Sequence, residues 1–173
     1  AVALAAPAEG PASGGFPGLP ASHRPRVEIA WNRLYDLGDL YAGPDDPRLE
    51  ADLASALDAS QRFAARYRTR VAGLDAAELA AAIDELESFE EPAYRAAAFA
   101  QLLFAADTSA PRHGALLQRV QERGTEIRNA VVFFELEWVA VDDARAAALL
   151  AAPALARRRH LLEQMRKYRP HVL

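Results

Sequence analysis

Residues 117–141 read LQRVQERGTEIRNAVVFFELEWVAV, and their spacing decides the fold. Leu117, Val120, Gly124, Ile127, Val131, Phe134, Trp138 and Val141 recur at steps of three and four. That is the interval at which side chains return to one face of an α-helix. The stripe predicts a helix over about 112–141, roughly 45 Å at 1.5 Å per residue, which is long for a globular domain. Gly124 costs about 1 kcal/mol against alanine in such a helix, and its presence predicts a close approach by a neighbouring helix. Val131-Val132-Phe133-Phe134 has strand propensity, but it continues the stripe without a break and stays helical.

Helical signals extend to either side. Asp45-Asp46-Pro47 is a start signal, an acidic cap followed by proline in the first turn. Leu49, Leu53, Leu57, Phe63, Tyr67 and Val71 follow at near-helical spacing, and Gly73 ends the run. Asp75, three residues before Glu78, resembles a capping box and opens a second helix. Pro92 predicts its end, and a third helix stops at Asp107-Thr108-Ser109, where Thr108-Ser109 is read as the cap of the long helix. Asp142-Asp143 starts a short helix, Pro153 opens a last one, and Pro170 closes it. Residues 27–44 read as an ordered, irregular lead-in that lays Trp31, Leu34, Leu37, Leu40 and Tyr41 on the helical body. The expected class is all-α, with five or six helices behind a disordered Ala/Gly/Pro-rich leader over 1–25. That leader offers few large apolar groups to offset the entropy of ordering it.

Composition narrows the functions. The chain has 173 residues, enough for one domain or a domain with a tail. It contains no cysteine, so disulfide scaffolds, thiolate zinc sites and cysteine nucleophiles are excluded. A net charge of −4 argues against general nucleic-acid binding, and no apolar run is long enough for a membrane span. Residues 1–22 lack a basic start and are interrupted by proline and glycine, unlike an export signal.

Motifs of known chemistry are missing. The histidines at 23, 113, 160 and 171 form no H-E-x-x-H, and His160-Leu161-Leu162-Glu163 is followed by Gln164 where the inverted motif needs histidine. No serine sits in G-x-S-x-G, and there is no phosphate-binding glycine loop. Arg119, Glu122, Arg123 and Glu126 are expected to form a solvated ion-pair ladder. Glu135 and Glu137 lie on nearly opposite sides of the long helix, so one of them should face the packed stripe and make a structural hydrogen bond, with a ligand role as the alternative. Arg157, Arg158, Arg159, Arg166, Lys167 and Arg169 stand against the single acid Glu163. They are expected to pair with acids elsewhere or to belong to an interface, ahead of a nucleic-acid or membrane patch.

Several segments, taken in order, resemble the oligoendopeptidase F group of thimet-oligopeptidase-like zinc metallopeptidases. They are Trp31 with Asp36-Leu37-Gly38-Asp39-Leu40-Tyr41-Ala42-Gly43, then Asp45-Asp46-Pro47-Arg48-Leu49. Phe63-Ala64-Ala65-Arg66-Tyr67-Arg68 and Val71-Ala72-Gly73-Leu74 follow, then Leu102-Leu103-Phe104-Ala105-Ala106-Asp107-Thr108-Ser109. The last blocks are Phe133-Phe134-Glu135-Leu136-Glu137-Trp138 and Tyr168-Arg169-Pro170-His171. The likeness covers about 26–173; Asn32-Arg33-Leu34-Tyr35 interrupts the family's usual passage from tryptophan into the first segment.

The resemblance implies an amino-terminal helical lobe, cut off before the catalytic domain. In that family two histidines of an H-E-x-x-H helix and a downstream glutamate bind zinc, and the motif glutamate activates water. None of these has a counterpart in this sequence. The implied set of catalytic, cofactor-binding and metal-binding residues in this chain is therefore empty, and zinc belongs to the full-length enzyme. The implied partners are the carboxy-terminal catalytic domain and a short oligopeptide in a channel that such helices help to wall. Nucleic acid and membrane are not expected, and the expected location is the cytoplasm. The alternative is a stand-alone, non-catalytic helical interaction protein that pairs through the 112–141 stripe.

Overall fold

The computed structural model describes residues 26–29 and 33–167, with side chains from Asp36 onward. The expected leader over 1–25, Trp31 and the block at Tyr168 lie outside these described residues.

Three long helices carry the architecture. α1 (Pro47–Tyr67), α2 (Ala76–Ala106) and α3 (Pro111–Ala140) run alternately up and down, joined by short connections. The antiparallel order is visible in the core. Leu49 and Leu53, early in α1, pack with Phe99 and Leu103, late in α2, and with Leu116 and Val120, early in α3. Phe63 and Tyr67, late in α1, pack with Leu79 and Ile83, early in α2, and with Phe134 and Trp138, late in α3. Short loops between long amphipathic helices leave this arrangement as the direct way to bury each apolar stripe.

The second of these clusters centres on Phe63, which is fully buried. Its ring meets Tyr67 at 4.7 Å, Phe134 at 5.5 Å, Phe89 at 5.7 Å and Phe133 at 6.0 Å between centroids. These are tilted or edge-on contacts, which suit the ring quadrupoles. α4 (Asp143–Ala151), a 3-10 turn over Pro153–Leu155 and α5 (Arg159–Lys167) then fold over the same end of the bundle, adding Ala146, Leu155 and Leu162 to this core.

The caps follow the sequence signals closely. Asp46 accepts the Arg48 N–H at 2.9 Å and the Ala42 N–H at 2.8 Å, with Pro47 in the first turn of α1. Asp75 and Glu78 complete a reciprocal capping box at the start of α2. Asp142 accepts from Ala144 and Arg145 and starts α4.

Five details differ from the sequence expectation. α2 continues through Pro92, so the expected second and third helices are one. Burial of Phe89 before the proline and Ala96 after it holds the helix together against the lost hydrogen bond. Thr108-Ser109 does not cap α3: the Ser109 hydroxyl donates to Asp107 instead, and Ala110 holds the cap position. Pro153 opens only the 3-10 turn, and α5 begins at Arg159. Part of the lead-in is a hairpin, with β1 (Arg26–Ile29) antiparallel to β2 (Arg33–Asp36) and β1 lying on α2. These runs are too short for a two-residue period to stand out. The core remains wholly helical and turn-borne, so the all-α class holds. The fifth difference is Gly124, where a Cβ would meet no atom within 4 Å. No helix makes a close approach there.

Two outcomes follow. Gly124→Ala should raise unfolding stability by about 1 kcal/mol in urea titrations, since only helix propensity changes. The Arg48 side chain, then the Ala42 and Arg48 amides, hold the Asp46 carboxyl down at about 2, below its ordinary 3.8. Its stabilisation is present above pH 4 and fades as the pH falls through the folded value. Asp46→Asn should therefore cost about 1–2 kcal/mol at pH 7, discounted for solvent around Arg48, and close to nothing near pH 2. Urea midpoints measured across that range check both the size and the sign.

Candidate functional site

The most constrained polar cluster lies at the end of α3. Glu137 is the member of the Glu135/Glu137 pair that turns inward; Glu135 is exposed. The Glu137 carboxylate accepts the Thr69 N–H at 2.6 Å and the Val71 N–H at 3.2 Å. Thr69 has φ of 66°, a left-handed conformation that a β-branched residue adopts at a cost. The carboxylate thus clamps a strained connection between α1 and the 3-10 turn over Val71–Gly73. Two arginines fasten the same connection. Arg145 donates to the carbonyls of Ala72 at 2.8 Å and Leu74 at 3.0 Å. Arg68 donates to the Ala130 carbonyl at 3.2 Å and lies 4.7 Å from the Phe133 ring centre.

Trp138, the next residue, is fully buried. Its Nε1–H donates to the Leu162 carbonyl at 2.9 Å. Arg166 donates to the Trp138 carbonyl at 3.0 Å, lies 5.5 Å from the indole centre and pairs with Asp143. Segment 138–166 is therefore a closed clasp. It leaves α3 at the tryptophan and returns to it through α5.

Three basic residues of the tail are drawn into the fold, whereas Arg157 and Lys167 are exposed. Arg158 pairs with Asp84 on α2, Arg159 donates to the Leu150 carbonyl, and Arg166 closes the clasp. Arg169 lies outside the described residues. The expected ladder on α3 is only partly made. Arg123 pairs with Glu126 at 2.7 Å, Gln118 donates to Glu122, and Arg119 reaches Glu50 on α1 at 2.7 Å.

A second polar group sits at the other end of the bundle. The buried Tyr41 donates its hydroxyl to Asp52 at 2.8 Å, and Arg95 donates to the same carboxylate at 2.9 Å. Burial raises the tyrosine pKa, with the Arg95 hydrogen bond opposing it. Beside it, Leu40, Glu87, Glu90, Glu91, Tyr94 and Arg95 line a shallow open depression of about 560 Å³. Burial, then repulsion from Glu87, raises the Glu90 pKa, while Arg128 pulls the other way. A second open depression, of about 680 Å³, lies between Arg66, Thr69, Arg70 and Glu78.

Neither depression gathers a nucleophile with a base. Ser60, Ser88 and Ser109 donate their hydroxyls to nearby oxygens of Leu57, Glu85 and Asp107. Zinc does not fit the described residues. They contain no group of three or more His, Asp or Glu side chains arranged to hold a metal. His113 is buried in the first turn of α3 with Nδ1 3.2 Å from the Asp107 carbonyl, a contact that requires the Nδ1–H tautomer. His160 is exposed beside Gln164. Among the described residues no helix is long and apolar enough to cross a membrane.

Residues 137–173 match a family model for the amino-terminal region of M3 peptidases, described as Oligopeptidase F. The match begins at Glu137-Trp138 and takes in the whole clasp. No curated protein matches the chain, and no solved structure does. The last helices of this chain are thus similar to the amino-terminal region of oligoendopeptidase F, and they are set on a body of three long helices.

The Glu137 clamp has a direct test. Glu137→Ala removes both acceptors and should cost about 1–2 kcal/mol in chemical denaturation. Thr69→Gly relieves the left-handed strain and should gain up to about 1 kcal/mol. If instead Glu137→Ala is neutral and Thr69→Gly destabilises, the carboxylate is not holding that turn.

Proposed function

We propose that residues 26–173 form the amino-terminal helical lobe of a cytoplasmic zinc metalloendopeptidase that hydrolyses short oligopeptides, and that this lobe is itself non-catalytic. The supporting observation is the family match over 137–173, in which the described residues from Trp138 to Arg166 close into one unit. Its partners in this reading are the catalytic domain, which supplies zinc and its ligands, and the oligopeptide. The lobe's part is mechanical. Two helices about 45 Å long by their residue counts give a stiff wall, and rigid helical walls can limit access to a site by size.

One observation favours the alternative of a stand-alone helical interaction protein. The stripe on α3 is covered by the chain's own α1 and α2, with Phe134 and Trp138 at 1% exposure or less. A self-covered stripe is what an independent body needs. Against it, Val132 and Leu136, one turn apart on α3, remain 47% and 45% exposed. They form a small apolar strip where a neighbour would pack.

The purified 173-residue chain should cleave no fluorogenic oligopeptide, with or without added zinc. Native protein captured from its source with an antibody to residues 45–141 should cleave such peptides, and a chelator should stop it. Chelator-sensitive cleavage by the short chain would overturn the non-catalytic assignment. Captured native protein with no peptidase activity would favour the interaction protein.

A further inference from the structure

We draw no further inference here: the strongest candidate, the acidic depression on α2 between Leu40, Glu87, Glu90 and the exposed Tyr94, carries nothing because it is a carboxylate cluster and nothing in the structure shows what covers it.

Discussion

An indole buried at the end of a long helix imposes two demands, and much of this structure answers them. Trp138 needs apolar neighbours for its rings and an acceptor for its N–H, because a buried donor left without a partner costs about 1–3 kcal/mol. Helices α1 and α2 supply the apolar core in which it sits, Phe63, Leu79 and Ile83 among its members. The acceptor is the Leu162 carbonyl, which lies on α5 and is reached only because the chain turns at Asp142, runs through α4 and comes back. Arg166 completes the return by holding the Trp138 carbonyl and lying over the ring. One side chain thereby joins the three-helix body to the segment that follows it.

Glu137 does the matching work on the other side. Its carboxylate reaches across to the connection between α1 and α2 and satisfies two amides there, one of them on a residue in a strained conformation. Adjacent residues therefore tie α3 to elements on opposite sides of the chain order. The inward glutamate, three tail arginines and the buried histidine all have structural partners as well.

Much of this was legible in the sequence because the signals were long or chemically distinct. A stripe of eight residues from Leu117 to Val141 fixed α3 to within a residue at each end. Asp46-Pro47, Asp75 with Glu78, and Asp142 marked three helix starts through their side-chain oxygens. The failures have physical reasons. Pro92 is a local breaker overruled by packing on either side of it. The hairpin at 26–36 spans runs of only four residues. Geometry singled out one inward glutamate of the Glu135/Glu137 pair but could not say which amides it would meet, since Thr69 and Val71 are more than sixty positions away. The left-handed Thr69 carried no signal, because glycine or asparagine is the usual mark of that conformation. Of the ordered blocks that carry the family likeness, Glu137-Trp138 and Tyr168-Arg169-Pro170-His171 fall in the stretch that the family model matches, and the earlier blocks lie outside it.

The central claim is that this helical body serves as one lobe of a larger peptidase. The most direct test is the intact mass of the native protein from its source, detected through residues 45–141. The account predicts a species far heavier than the 18.8 kDa of the present chain. A native species of 18.8 kDa would contradict it and leave a self-contained helical protein in its place.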